Sequence, residues 1–413
     1  MLKPILWPVL APSLLFAVGL GAILPVLVLG ALSLGSSTSF AAAVVGIMGA
    51  VSLVATVPAG ILIDRLGDFR AMLVATITAV LVLGAIVTVF VWQTPASLVL
   101  YMVALMLFAP VSDVWSLARQ AVVAEVMPPK DLAKAMTALG GSQRVGNLVG
   151  PIVGAGLMLV FPLWSVFVFA GISAVAAVVV MSLPIARIPG YSDRRAGGTG
   201  GAGATNRDSA CPTSPKPSRP RLQVRWKAVI LVGISIIALT VARSAQPVVI
   251  QLWGVEIGLH ESSISLLIAF GAGLELLFMF LGAYIKDHLG RTTTLATCLT
   301  VFGSGFFVMV LRPDLAGMIT AAAIMAVGNG LGAGVNMTIG ADLSPAIGRA
   351  RFLGVWAIFS NGGKLGGPGL ISLVITIASL RFGILFPGLF AILGALWVIL
   401  WSQKIGLPGR RRH

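Results

Sequence analysis

Apolar runs of about twenty residues recur along this chain, each ended by a short polar break. An α-helix needs roughly twenty apolar residues to cross the ~30 Å hydrocarbon core of a bilayer. The runs lie at 5–33, 40–63, 71–92, 96–118, 135–160 and 163–185, then at 228–252, 262–285, 293–311, 315–340, 352–377 and 381–402. Strand-like alternation does not recur, so the spans are expected to be helical. Only 10% of the 413 residues are charged and 58% are hydrophobic. A soluble domain averages about 25% charged residues and could not hide this much apolar surface. The expected class is an all-α integral membrane protein with twelve transmembrane helices. The first run is too long for a signal-peptide core and reads as a retained span.

The spans fall into two sets of six. Residues 1–187 form an N-terminal six-helix half and 227–403 a C-terminal half. Between them, 188–226 are rich in Gly, Pro, Ser and Arg and read as a flexible basic linker, while 404–413 form a basic tail. The halves resemble each other. Ala124–Pro128 (AEVMP) matches Ala341–Pro345 (ADLSP) at an offset of 217 residues, which also carries Gly150-Pro151 onto Gly367-Pro368. Asp64–Gly67 (DRLG) matches Asp287–Gly290 (DHLG) at an offset of 223. Two six-helix pseudo-symmetric halves with a site between them are the plan of alternating-access transporters.

Basic residues set the orientation. Lys3, Arg65, Arg70, Arg119, Lys130, Lys134, the linker, Lys286, Arg291, Arg349, Arg351 and the tail share one side, against Arg312 and Arg381 on the other. That bias places both termini in the cytoplasm. The formal charge of +15 then reflects a face beside anionic lipid, and nucleic-acid binding is a poor reading. Cys211 and Cys298 have no disulfide or metal spacing.

Two motifs resemble the major facilitator superfamily. Gly60, Leu62, Asp64, Arg65 and Gly67 stand in register with its Gly-x-Leu-x-Asp-Arg-x-Gly signature between spans 2 and 3, with Arg70 nearby. Asp68 stands where the family has a base. The second copy is degenerate and keeps Asp287, Gly290 and Arg291. The resemblance implies that this motif latches the halves on the cytoplasmic side. On span 5, Gly146, Gly150, Pro151 and Gly154 are similar to the Gly-x-x-x-Gly-Pro-x-x-Gly-Gly signature of superfamily antiporters, with Ala155 at the last position. Glycines four apart stay near one helix face and admit a close neighbour. In the family this seam packs on the other half. The chain as a whole resembles the drug-resistance-type exporters of high-GC Gram-positive bacteria, multi-pass proteins of the plasma membrane.

Five ionisable residues lie well inside spans. Each costs about 2.5–3.5 kcal/mol at the bilayer centre unless paired or wet. At about 1.5 Å per residue from the basic face, Asp113 lies roughly 8 Å deep, Arg144 14 Å, Glu275 15 Å, Lys364 18 Å and Arg243 22 Å. Asp113 and Arg144, on adjacent spans, could pair, and Glu275 matches Lys364 in depth. Arg144 points about 200° away from Gly146, so charge and seam use different faces. Asn147, Gln246 and Asn361 join Arg144, Arg243 and Lys364 as cavity candidates. Glu275 and Asp113 are the candidate proton carriers. Glu125 and Asp342, at matched ends of spans 4 and 10, read as gate residues with Arg119, Arg349 and Arg351. Trp115, Phe278, Trp356 and Phe359 are placed in the core or against lipid rather than in the cavity.

No phosphate-binding loop and no nucleophile–base constellation occur, so an enzyme or ATP-driven pump is not expected. The expected function is export of small amphipathic molecules by proton-coupled antiport in a monomer without cofactor. The proton gradient supplies the energy, and the partners are the substrate, protons and the lipid bilayer. Three bases against two acids favour a neutral, zwitterionic or anionic substrate. Rival readings are a symporter or uniporter taking up an organic anion or metabolite, a lipid or glycolipid translocator on the same fold, and a non-transporting receptor.

Overall fold

The computed structural model describes residues 5–186, 224–345 and 349–406. Within these it excludes the side chains of 129, 130, 132, 133, 283, 285–287, 289, 349–351, 353 and 354. The linker from 187 to 223, the last seven residues, and the side chains of Asp287, Arg349 and Arg351 therefore lie outside the described residues.

Among the described residues the regular secondary structure is helical. The first half contains α1a (Ala11–Ile23), α1b (Val26–Ser33), α2 (Thr38–Leu66), α3 (Asp68–Trp92), α4 (Ser97–Val126), α5 (Pro129–Val160) and α6 (Ser165–Ser182). The second contains α7 (Trp226–Glu256), α8 (Glu261–Leu289), α9 (Arg291–Leu311), α10a (Leu315–Leu331), α10b (Val335–Leu343), α11 (Arg349–Ile377) and α12 (Leu380–Leu400). Among the described residues, eleven spans are long and apolar enough to cross a membrane. The twelfth, α11, has 29 residues but carries Ser360, Asn361 and Lys364 in its interior. The chain is thus an all-α, multi-pass membrane protein.

Two spans are interrupted. Pro25 has no N–H to continue the helical ladder, and α1 breaks at Leu24–Pro25. In the tenth span, Gly332 ends α10a, and Gly334, at φ 73°, starts α10b. The signature glycines have a backbone reason as well. Gly67 (φ 85°) and Gly290 (φ 91°) stand at the turns α2–α3 and α8–α9, in a region that favours glycine. The repeat seen in sequence is thereby a repeat of backbone conformation.

Packing repeats too. In the first half α1a packs on α5 and α6, α2 on α4, and α3 on α4 and α6. In the second half α7 packs on α11 and α12, α8 on α10a, and α9 on α10a and α12. The halves meet along α2–α11 and α5–α8, themselves related by the repeat. Large side chains fill the interior of each half. Trp115 is 1% exposed, stacks on Phe16 at 4.3 Å and donates to Thr76, so it is a core residue as expected. Trp356 is buried as well, with Phe359 beside it at 5.6 Å.

Candidate functional site

The α5–α8 contact carries the principal charge cluster. Arg144 Nη1 donates to Glu275 Oε1 at 3.0 Å, and the two side chains keep 34% and 28% of their exposure. The second carboxylate oxygen accepts from Asn329 Nδ2 at 2.6 Å. Asn329 lies near the end of α10a, where the break leaves carbonyls without helical donors. Arg243 Nη2 supplies those donors, to Asn329 O at 3.3 Å and Gly332 O at 3.1 Å. A cation at a helix C-terminus is also favoured by the helix dipole. Four helices thus converge on Glu275, and the cluster joins the halves.

The α2–α11 contact carries a second cluster. Ser52 Oγ donates to Asp113 Oδ2 at 2.5 Å, and Lys364 from the other half lies within electrostatic reach of that carboxylate. The clusters follow the same plan. At the 223-residue offset Ser52 corresponds to Glu275, and at 217 Asn147 corresponds to Lys364. In each cluster α2 or α8 bonds to α4 or α10 of its own half, while the cation arrives from α5 or α11 of the other half. The acid has moved from one helix of the pair to its neighbour.

This arrangement corrects the pairing inferred from depth. Asp113 is joined to Ser52 rather than Arg144, and Glu275 to Arg144 rather than Lys364. Depth along the normal ranks residues by height but does not say which helices meet across the midline. Lys364 is exposed, and Asn147, Asn361 and Gln246 are half-buried. Gln246 Nε2 lies 4.0 Å from where a Cβ on Gly271 of α8 would stand.

The glycine seam packs elsewhere than the resemblance implies. A Cβ at Gly146 would collide with Ala17 of α1a, and one at Gly150 would stand 2.5 Å from Val18 O and 2.6 Å from the Gly21 carbonyl carbon. The seam therefore closes α5 onto α1a of its own half. Its counterpart is Gly363 and Gly367 on α11, packed on Thr240, Val241 and Ser244 of α7. Only its outer end touches the other half. Ser265 of α8 donates to Pro151 O at 2.7 Å, and a Cβ on Gly154 would lie 3.7 Å from the same hydroxyl.

At the basic face, Asp64, Arg65, Arg70 and Glu125 are exposed, and a Cβ at Gly60 would meet open space. Asp342 pairs with Arg291 at 3.0 Å, within the second half. Arg119 does not join the gate. It is 6% exposed and donates to Gln143 Oε1 at 2.6 Å. The first-half positions matching Arg291 and Asp342 hold Asp68 and Glu125, two acids, so this bond has no counterpart there.

Several participants were not singled out in the sequence, Gln143 and Ser265 among them. Ser52 was legible through the repeat, as the partner position of Glu275. Asn329 sits in the Gly-Asn-Gly run that precedes the helix break. Gln251, described below, carries no sequence signal beyond being polar in an apolar run.

The sequence matches the Major Facilitator Superfamily over residues 9–242 and 231–411. The chain belongs to that superfamily of membrane transporters. No curated protein matches it. Among solved structures it is similar to a POT family transporter in complex with 5-aminolevulinic acid, at 12% identity and TM-score 0.77 over 96% of each chain. A POT family transporter with a thioalcohol-conjugated peptide aligns at 13% identity and TM-score 0.77, again over 96% of each chain. The peptide transporter POT with sulfate aligns at 13% identity and TM-score 0.76, over 98% of this chain and 95% of that one. These likenesses establish the fold.

Proposed function

We propose that this transporter is a proton-coupled secondary carrier that exports small amphipathic molecules by antiport, with Glu275 as the carboxylate for which proton and substrate compete and Arg144 as its partner between turnovers. The carrying observation is the Arg144–Glu275 pair, which bridges the halves and stays about one-third exposed. A ligand cation that takes Glu275 competes with a proton for the same carboxylate, which couples the two in opposite directions. A ligand anion that takes Arg144 leaves Glu275 half-buried without its cation, and protonation then offsets that loss. That second exchange moves substrate and proton together.

The second exchange supports a second reading, uptake by symport or uniport. Three basic side chains against two acidic ones surround the half-to-half contacts. Two solved carriers of the same fold hold 5-aminolevulinic acid and a peptide conjugate, ligands with anionic groups. A lipid or glycolipid translocator on this fold is the third reading. The drug-resistance-type grouping, location in a bacterial plasma membrane, cytoplasmic termini, a monomeric state, an absence of cofactors and the limits of the two halves and linker belong to the proposal.

Proteoliposomes with an imposed pH gradient separate the readings. Substrate leaving against an inward proton flow supports antiport, and accumulation with it supports symport. Flux indifferent to the gradient in both directions would rule out proton coupling.

A further inference from the structure

Towards the face opposite the termini, a second side chain joins Ser265 in bridging the halves. Gln251 of α7 is 1% exposed. Its Nε2 donates to Leu24 O at 3.1 Å, and its Oε1 accepts from Val28 N–H at 3.1 Å. Leu24 and Val28 are four residues apart and flank the break at Pro25. In an unbroken helix they would bond to each other. The Gln251 amide therefore stands in for one helical hydrogen bond, supplied by the other half. Tyr101 of α4 fixes the same segment to its own half by donating to Leu27 O at 3.0 Å, and a Cβ at Gly30 would strike that ring.

We infer that Gln251 is the outer latch of the transport cycle. It holds the end of the central cavity away from the termini closed, and it lets go when α1a and α1b rejoin. Among the described residues, the hydrogen bonds between halves are this pair, Arg144–Glu275, and Ser265–Pro151. Alternating access requires the outer end to part. When it does, Leu24 C=O and Val28 N–H can bond to each other instead of being left open, and Gln251 Nε2 keeps its bond to Pro247 O at 2.9 Å. One internal bond replaces two between the halves, so opening does not strand buried backbone groups. The inference rests on reading the chain as an alternating-access carrier and is independent of which carboxylate takes the proton.

The test is the distance between spin labels on the two halves. In a background of Cys211→Ser and Cys298→Ala, labels are placed through Ser33→Cys, at the end of α1b, and Glu256→Cys, at the end of α7. Both positions are exposed. Gln251→Leu keeps the bulk and removes both bonds, and it should raise the ratio of long to short distances about tenfold. Gln251→Glu retains the acceptor for Val28 and should give an intermediate shift. It also carries the test if the leucine variant does not fold. A folded variant with an unchanged distance distribution, even with a lowered unfolding temperature, would overturn the latch and leave Gln251 a packing residue. A shifted distribution with no transport of any tested compound would support the latch while counting against the carrier reading.

Discussion

Adding one methyl group at Gly150 should destabilise the protein, while the same change at Gly156 should not. An ideal Cβ at Gly150 would stand 2.5 Å from Val18 O and 2.6 Å from the Gly21 carbonyl carbon. These are backbone atoms of α1a and cannot rotate aside. Ordinary contact begins near 3.4 Å, so α5 and α1a must separate by several tenths of an ångström to about 1 Å. Overpacking of this kind costs about 1–3 kcal/mol. Gly→Ala in a helix interior returns roughly 0.5–1 kcal/mol through lower chain entropy and better propensity. Gly150→Ala should therefore lose up to about 2.5 kcal/mol net, with about 1 kcal/mol as the mid-range value. At Gly156 nothing lies within 4 Å, so Gly156→Ala should be neutral or gain about 0.5–1 kcal/mol. Thermal unfolding of the purified protein in detergent should move down by a few degrees for the first and hold or rise for the second. Transport in proteoliposomes should fall only for the first. If Gly150→Ala unfolds at or above the wild-type temperature, α5 and α1a do not pack this closely and the seam argument fails.

Glu275→Gln should abolish pH-driven transport while substrate exchange at equal pH continues. Full coupling in that variant, with loss in Asp113→Asn, would move the proton site to the α2–α11 cluster. Asp64→Asn should insert normally and slow transport if the exposed carboxylate engages the other half during the cycle, and wild-type rates in a folded variant would remove that role. Asp68→Arg puts a base at the position that the repeat matches to Arg291 and should let it pair with Glu125, the match of Asp342. Chemical cross-linking or hydrogen exchange at the α2–α3 turn should show it more protected, and unchanged protection would show that Asp68 and Glu125 do not face each other.

The spans, the duplication and the turn glycines were legible because each leaves a local signature. Twenty apolar residues, a Gly-x-x-x-Gly spacing and a repeated Asp-x-x-Gly need no tertiary knowledge. The buried ionisable residues were legible for the same reason, since charge in an apolar run is conspicuous. Their partners were not. Arg144 and Glu275 are 131 residues apart, and Asp113 and Lys364 belong to different halves, so only the way the halves face each other decides which charges come near one another. Arg119 shows the reverse error. Its position at a span end suggested a gate, yet its side chain folds inward to Gln143. Gln251 could not have been found, because its role depends on a break in another helix.

The pairing of Arg144 with Glu275 also bears on how the chain is made. Membrane helices are synthesised in order, and residues are added at about 5–20 per second. Arg144 is followed 131 residues later by Glu275, so roughly 7–26 s separate the two at those rates. Until then, the first half holds a cation whose carboxylate does not yet exist. The second half supplies Glu275 to complete that pair, and brings Lys364 within electrostatic reach of Asp113. Neither half is electrically self-sufficient, and the unmatched charges give each one a reason to bind the other. Two separately expressed halves should therefore assemble in one membrane, and reversing both charges of the pair together should restore assembly that reversing either one alone removes.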